Sequence, residues 1–282
     1  MDGNPGNVVL PDVLLDEARS RLIVAIDTPE IDGARRIART LKGHVGLGKV
    51  GLEIHYSHGA PQTVEAIGGL DTMVDGKFHD IPHTVGGAVA GILGGDRHLL
   101  IRILNVHISG GLEMLKGAVA ARDKVWEGTG ETSLPRPQLL GVTILTTQKY
   151  SDFVAMGFAP GLTSVAADDR TAAENAWLQN RVLDMSAMAK EAGLDGVIVP
   201  GPFAAAVREK FGPDFVILCA GIRFAEGDQH DQVHIATPQG AIENGATYVV
   251  MGRGLTEADD PAAAADRAVH EIATGLQTIR SR

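Results

Sequence analysis

Two lysines and two aspartates are spaced in this sequence as a proton-handling group would require. Asp75, Lys77 and Asp80 lie in one short segment, and Lys49 ends an apolar run earlier in the chain. Alternate residues of a strand point to one face, so the side chains of Asp75 and Lys77 are predicted to point the same way. Such a group could position an ammonium that donates a proton, or it could be a buried structural ion network. A divalent-metal site is disfavoured, because the interleaved lysines already neutralise the carboxylates.

A second group of polar residues has the character of a phosphate site. Gly221 and Arg223 follow one late apolar run, and Gly252 and Arg253 follow the next. The planar fork of a guanidinium can donate two hydrogen bonds to a phosphate. The residues alone therefore indicate a phosphorylated small-molecule substrate and a Lys/Asp reaction centre, and they leave the reaction open.

The elements that must position these residues follow from an alternation of short apolar runs with helical patterns. Runs that are apolar on both faces are typical of parallel strands covered by helices. Eight such units in 282 residues predict an α/β protein with a single (β/α)8 TIM-barrel domain, in which residues 1–20 are an N-terminal extension. An open doubly wound sheet is disfavoured, because no glycine-rich phosphate turn follows the first strand. The predicted strands are 22–27, 44–50, 72–77, 100–107, 139–146, 196–200, 215–220 and 248–252.

Helices are predicted after these strands, and two stretches interrupt the pattern. A short helix is expected at 13–20, and Thr28 and Pro29 are expected to supply the N-cap and first residue of the next helix. Residues 124–137 are predicted to form a long surface loop, and residues 158–169 a loop that could act as a flap. Further helices are predicted at 88–93, 113–121, 172–192, 202–210 and 261–278.

A barrel gathers the carboxyl ends of its strands at one rim, where TIM-barrel enzymes carry their chemistry. The opposite rim shows no comparable set of polar residues in the sequence. The polar residues at or just after the predicted strand ends are Asp27, Lys49, Asp75, Lys77, Asp80, His107, Thr146, Arg223 and Arg253.

Composition restricts the class of partner. A formal net charge of −10 argues against binding to nucleic acid or to an anionic membrane surface, both of which need a cationic footprint. No apolar run approaches the roughly 18 residues of a membrane span, and the first residues lack the pattern of a signal peptide. The single cysteine, Cys219, lies in an apolar run and is expected to be a core residue of a cytoplasmic protein.

From Leu22 to Pro261 the chain resembles the orotidine 5′-phosphate decarboxylase family. The most specific match is segment 74–85, which contains Asp75, Lys77 and Asp80. The resemblance implies a homodimer with shared active sites that converts orotidine monophosphate to uridine monophosphate without cofactor or metal. Weaker motifs that match in order and spacing lie at 49–53, 105–111, 142–146, 194–197, 221–223, 231–238 and 252–253.

The resemblance also implies a division of labour among the residues. Lys77 would protonate the ring carbon from which carbon dioxide departs. Asp75 and Asp80 would hold Lys77 and Lys49, with Asp80 reaching across the dimer interface together with Thr84. His107 and Ser109 are expected to form the wall of the site. The other implied substrate contacts are Asp27 and Lys49 to the ribose, Thr146 to the pyrimidine, and Arg223, Gln232, Gly252 and Arg253 to the phosphate.

The chain departs from the family pattern at four positions. Gly76 stands where a bulky aliphatic residue is usual, which is expected to loosen the third strand. Ala220, Phe224 and Gly254 replace prolines beside the phosphate motifs, where proline would restrict the loops.

Two alternatives compete with this interpretation. Magnesium-dependent barrels of the ketogulonate-phosphate decarboxylase or hexulose-phosphate synthase type share the Asp-x-Lys-x-x-Asp motif. They use an acidic residue near the end of the second strand, where this chain has Lys49. A non-catalytic nucleotide-binding paralogue is the other alternative, and the intact set of lysines and aspartates argues against it.

Overall fold

A closed barrel of parallel strands forms the centre of the computed structural model, which describes residues 10–162, 166–226 and 236–281. Within them, eight strands pair in sequence order and the last pairs with the first. The predicted (β/α)8 TIM-barrel fold is therefore confirmed. The strands are β1 (Leu22–Ile26), β2 (Leu47–Val50), β3 (Asp71–Phe78), β4 (Ile101–His107), β5 (Gln138–Val142), β6 (Gly196–Pro200), β7 (Val216–Ala220) and β8 (Tyr248–Met251).

Helices surround the barrel, and the first of them packs against the last. Among the described residues, no helix is both long and apolar enough to cross a membrane. The helices are α1 (Asp12–Arg21), α2 (Ile31–Leu41), α3 (Leu52–His58), α4 (Ala60–Ala66), α5 (Pro82–Leu93), α6 (Leu112–Thr129), α7 (Tyr150–Ala155), α8 (Arg170–Glu191), α9 (Ala204–Phe211), α10 (Pro238–Glu243), α11 (Arg253–Thr256) and α12 (Pro261–Arg280). Short 3-10 turns lie at Gly95–Leu99, Ile108–Gly110, Ala167–Asp169 and Gly201–Phe203.

Alternation along each strand divides the core into two layers. In β1, Ile23 and Ala25 point into the barrel, whereas Leu22, Val24 and Ile26 point outward against the helices. Both faces exclude water, which is why the strands are continuous apolar runs in the sequence. Cys219 belongs to the outer layer as expected, and burial raises the pKa of its thiol to about 12.

The helix after β1 begins two residues later than predicted. Its first residue is Ile31, and the N-cap position is Glu30, whose side chain makes no capping bond. The Thr28 hydroxyl oxygen instead accepts a hydrogen bond from the Glu30 backbone N–H, at 3.3 Å. A hydroxyl that bonds a backbone group two residues away stabilises a turn and competes with helix formation.

Two predicted boundaries around β5 are also wrong. Helix α6 continues through Thr129 and ends where Gly130 adopts φ 65°, so the first part of the predicted loop 124–137 is helical. Val125 packs against the core from this last part of the helix, and a glycine in left-handed conformation is a common helix stop. Strand β5 ends at Val142 rather than at residue 146. Both the backbone N–H and the hydroxyl of Thr143 donate to the Ile198 carbonyl.

The amino-terminal end of the barrel carries an ion-pair network that was not predicted from the sequence. Arg122 is 0% exposed and pairs with Asp123, at 2.6 Å, and with Asp195. Asp195 also binds Arg136, at 3.0 Å, and accepts a hydrogen bond from the Leu139 backbone N–H, at 2.7 Å. The prediction that this rim lacks a polar cluster is wrong, because the cluster comes from α6 and two loops rather than from the strand starts.

We expect Asp195→Asn to lower the free energy of unfolding by about 3 kcal/mol, because the fully buried Arg122 guanidinium loses one of its two carboxylate partners and keeps only Asp123. Urea denaturation measures the change. Asp16→Asn is the control, since Asp16 pairs with Arg19 on the surface of α1. This substitution should lower the free energy of unfolding by less than about 1 kcal/mol. Equal destabilisation of the two variants would contradict the role of the buried network.

Candidate active site

A cavity at the carboxyl ends of the strands has one charged wall and one apolar wall. The charged wall comes from β2, β3 and β4, and the apolar wall from the opposite strands. Charges beside such an apolar wall interact more strongly than they would in bulk water. The polar lining residues are Lys49, Asp75, Lys77, Asn105 and Thr146, and the apolar ones are Met73, Val142, Ile144, Leu145, Ile198, Val199, Leu218, Ala220 and Val250.

The charged side chains form a continuous row of ion pairs that centres on Asp75, which is 8% exposed. The Lys77 Nζ lies 2.6 Å from Asp75 Oδ1, and the Lys49 Nζ lies 3.2 Å from Asp75 Oδ2. Lys49 also donates to Asp27 Oδ1 at 3.1 Å. The structure thus brings together four of the predicted site residues, with positive and negative groups in alternation. Among the described residues, no group of three or more His, Cys, Asp or Glu side chains is placed to hold a metal ion.

The shifted pKa values of Asp75 and Lys49 keep both of these groups charged. Burial alone would raise the pKa of Asp75, but Lys49, Lys77 and the hydrogen bonds from Lys77 and Asn105 hold it well below its usual range. Burial alone would lower the pKa of Lys49, but the carboxylates of Asp75 and Asp27 outweigh it and raise the pKa above its usual value. A carboxylate between two ammonium groups is thus stable in a site that water barely reaches.

The geometry of β3 differs from the simple alternation that the sequence suggested. Val74 pairs with Leu104 and Phe78 pairs with Val106, so three residues of β3 lie opposite one residue of β4. Lys77 has φ 46°, and within the described residues it is the one non-glycine residue with a left-handed backbone. The side chains of Asp75 and Lys77 converge as predicted, but a bulge brings them together.

The departures from the family pattern have structural counterparts. A side chain at Gly76 would place its Cβ 2.8 Å from the ring of Phe78, so the ring occupies the space that a larger residue would need. The Arg267 guanidinium of α12 stacks on the Phe224 ring, 4.1 Å from its centroid, and pairs with Glu226 at 2.6 Å. This contact anchors the segment after β7, where a proline was expected.

Asp80 and Thr84 lie on the surface of the single chain. Asp80 accepts a hydrogen bond from the Ile81 backbone N–H at 2.7 Å. In the described part of the chain, neither Lys49 nor Lys77 has an ion pair with Asp80, although both pair with Asp75. The exposed position of both residues is compatible with a role in the site of a second protomer.

The residues of the predicted phosphate end lie after β7 and β8. Arg223 is half-buried beyond Gly221, which has φ 76°, and Arg253 is exposed at the start of α11. A Cβ at Gly252 would lie 4.0 Å from Asp27 Oδ2, so this end of the site adjoins the predicted ribose end. Gln232 lies outside the described residues.

His107 and Ser109 line a second, larger cavity beside the charged wall. The His107 ring centroid lies 5.6 Å from that of His79. Burial, with smaller contributions from His79 and Lys77, lowers the pKa of His107 and so favours its neutral form.

The barrel and its charged rim define a TIM-barrel protein with a Lys/Asp ion-pair cluster at the carboxyl ends of its strands, and the comparisons assign its family. The profile described as "Orotidine 5′-phosphate decarboxylase / HUMPS family" matches residues 20–268. The orotidine 5′-phosphate decarboxylase of Moorella thermoacetica is 36% identical over 270 residues, which are 95% of this chain and 98% of that protein. The enzyme of that name from Syntrophus aciditrophicus is 37% identical over 264 residues, which are 92% and 96% of the two chains. This chain belongs to that family.

A solved structure of similar sequence supports the assignment. The crystal structure of orotidine 5′-phosphate decarboxylase from Lactobacillus acidophilus superposes with a TM-score of 0.66 at 29% identity. The match covers 89% of this chain and 98% of that one. The similarity therefore spans nearly the whole barrel rather than one motif.

We expect Asp75→Asn to destabilise the protein by on the order of 3 kcal/mol at neutral pH, because two ammonium groups lose their shared carboxylate. The folded pKa of Asp75 lies below its unfolded value of about 3.9. Its stabilisation is therefore present above about pH 4 and is lost as the pH falls through the folded pKa. Urea denaturation at neutral pH and at about pH 3 measures the free energy of unfolding of both proteins. The difference between wild type and variant should be smaller at the acidic pH. A difference in free energy of unfolding that does not change with pH would refute the ionic origin of the destabilisation.

Proposed function

We propose that the chain is an orotidine 5′-phosphate decarboxylase that releases carbon dioxide and uridine 5′-phosphate in pyrimidine biosynthesis. The observation that carries the proposal is the Lys77 ammonium, held 2.6 Å from Asp75 over an apolar cavity. The names and coverage of the relatives support the same reaction.

The proposed chemistry needs a positioned cation. When the carbon–carbon bond to the substrate carboxylate breaks, carbon dioxide leaves and the electron pair stays on the ring carbon. Lys77 stabilises this developing negative charge and then transfers a proton from Nζ to the carbon. Solvent returns a proton to the lysine. The side chains alone supply the charge and the proton in this scheme, which makes the enzyme a cofactor-free carboxy-lyase.

Asp75 has two parts in the proposed mechanism. It fixes Lys77 and Lys49 through its two oxygens. It also lies where the substrate carboxylate would approach Lys77, and repulsion between the two carboxylates would raise the energy of the bound substrate. That repulsion disappears when carbon dioxide leaves.

The remaining residues are proposed to bind the parts of the substrate that do not react. Binding energy from a remote phosphate can position the reacting end of a substrate. We assign the ribose to Asp27 and Lys49, which already bind one another. We assign the pyrimidine to Thr146, and the phosphate to Arg223, Gln232, Gly252 and Arg253.

The magnesium-dependent alternatives fit this site less well. The family includes HUMPS proteins, but those barrels are expected to use a carboxylate near the end of β2. Lys49 occupies that position and lies between Asp27 and Asp75. Its ammonium supplies the positive charge that a divalent cation would bring.

The direct test is the loss of ultraviolet absorbance of orotidine monophosphate on addition of the purified protein in the presence of EDTA. Stoichiometric formation of uridine monophosphate is the expected result. A folded protein that leaves the substrate unchanged in EDTA but processes ketogulonate phosphate with magnesium would overturn the proposal. Tight binding of a uridine monophosphate analogue without turnover would favour a binding paralogue instead.

We also propose that the active form is a homodimer in which each site takes Asp80 and Thr84 from the partner. The support is the exposure of both residues beside Ile81, an apolar residue that is 64% exposed. A carboxylate on the surface next to an exposed apolar side chain suits an interface that closes over a charged site.

Mixing two inactive variants tests the proton donor and the shared site together. We expect Lys77→Ala and Asp80→Ala each to lose nearly all turnover, because one lacks the proton and the other lacks the second carboxylate. After unfolding and refolding as an equal mixture, activity should return to about a quarter of wild type, since half of the dimers are mixed and each has one intact site.

Each variant refolded alone is the control and should show no recovery of decarboxylase activity. A mixture that stays inactive while wild type refolds fully would rule out the shared site. Substantial turnover by Lys77→Ala alone would rule out the proton donor.

The cellular setting completes the proposal. We place the protein in the cytoplasm, supported by its single buried cysteine and by the metabolic role of its substrate. The net charge of −10 supports a small-molecule enzyme with neither a nucleic-acid nor a membrane partner. We treat the chain as one barrel domain with residues 1–20 as an extension.

A further inference from the structure

The hydrogen-bond ladder between β3 and β4 is interrupted at the reaction centre. Backbone pairing stops after Val74 and Leu104 and resumes at Phe78 and Val106. The three intervening residues of β3 face the single residue Asn105 of β4. A bulge leaves backbone groups without ladder partners, and a buried N–H without a partner is costly.

The Asn105 side chain takes the place of the missing ladder bond. It is 0% exposed, and its Oδ1 accepts a hydrogen bond from the Lys77 backbone N–H at 2.7 Å. Its Nδ2 donates to Asp75 Oδ1 at 2.6 Å. The same Asp75 oxygen receives the Lys77 Nζ. One carboxamide therefore contacts both the backbone and the charge partner of the proposed proton donor.

The backbone of Lys77 depends on such a support. A left-handed φ of 46° is unfavourable for a residue with a side chain and persists where surrounding contacts stabilise it. The direction of the Lys77 side chain follows from that backbone. A relaxation of φ toward the extended region would turn Nζ away from Asp75.

We propose that Asn105 is a positioning residue for the decarboxylation, because its carboxamide holds Lys77 in the left-handed conformation that aims Nζ into the site. The inference rests on the proposed function and adds a residue to it. Asn105 acts through Lys77 and Asp75.

The requirement for one acceptor and one donor makes the inference testable by substitution. Leucine at this position has a similar size and offers neither group. Aspartate keeps an acceptor for the Lys77 N–H but, when ionised, places a second carboxylate against Asp75. When protonated, the introduced carboxyl can donate to Asp75 and reproduce both bonds of the amide.

The first measurement is steady-state turnover of orotidine monophosphate by wild type, Asn105→Leu and Asn105→Asp across a range of pH. We expect Asn105→Leu to lose on the order of a hundredfold in kcat at every pH, because a misplaced proton donor costs about that much. Its KM should stay within about threefold of wild type, since the phosphate end is intact.

The kcat of Asn105→Asp should depend on pH in a way that differs from wild type and from Asn105→Leu. Two carboxyls that share a site titrate with one raised pKa, so its kcat should fall relative to wild type as the pH rises from about 5 to about 8. The matched control is Ser186→Ala, which removes a fully buried hydroxyl hydrogen bond in α8 at a residue that does not line the charged cavity. It should keep the wild-type kcat and pH profile.

The second measurement does not depend on turnover. With lysine-selective ¹⁵N labelling, the Lys77 amide should exchange slowly with solvent in wild type and rapidly in Asn105→Leu. Wild-type kcat together with a slow Lys77 amide in the leucine variant would overturn the inference. So would an aspartate variant whose pH profile matches wild type, because a packing role alone gives no new titration.

The two measurements separate this inference from the proposed function. A folded wild-type protein that does not turn over orotidine monophosphate refutes the function, and amide exchange then still decides the role of Asn105. Should the leucine variant fail to fold, the pH dependence of kcat and of Lys77 amide exchange in Asn105→Asp decides it.

Discussion

Both oxygens of the Asp75 carboxylate accept contacts from lysine ammoniums, and the rest of the site depends on that shared carboxylate. It connects Lys77 to Lys49 and, through Lys49, to Asp27. Four charges at the end of an apolar barrel are stable only because each has an opposite neighbour within hydrogen-bond distance. The group contains two lysines and two aspartates, and the exposed Asp27 balances the second ammonium, so the four side chains together carry no net charge.

The barrel fixes this arrangement because its members come from adjacent strands. Asp27 follows β1, Lys49 lies in β2, Asp75 and Lys77 in β3, and Asn105 in β4. Strand pairing sets the distances between these positions, and two layers of apolar side chains hold the strands. Loops alone could not hold side chains to within the tolerance that proton transfer requires.

Much of the fold could be predicted from the sequence because its main signal is local. Strands buried on both faces are continuous apolar runs, so all eight were recognised, with errors of a few residues at their ends. The continuation of α6 through Thr129 was missed, because a glycine-containing polar stretch resembles a loop until Val125 is seen to pack on the core. The buried Arg122 was missed for a related reason, since its partner Asp195 is distant in sequence.

The charged site was predictable in its members but not in its geometry. Charged residues at the ends of apolar strands are visible in the sequence, whereas the bulge that brings Asp75 and Lys77 together is not. The bulge depends on Asn105, which interacts through space from the neighbouring strand. A lone asparagine in an apolar run gives no local signal for that role. Nor does the sequence distinguish Asp75, which is buried, from Asp80, which is exposed.

The position of Asp75 has a consequence for the proposed reaction. Its Oδ1 already accepts from Lys77 and from Asn105, so it cannot rotate away to make room for a substrate carboxylate without breaking both bonds. An incoming carboxylate must therefore share Lys77 with a carboxylate that stays in place. Loss of carbon dioxide removes one of the two competing anions, and the ring carbon then becomes the strongest base beside the ammonium. A fixed Asp75 thus favours proton transfer to carbon after the bond has broken, which is the order that the reaction needs.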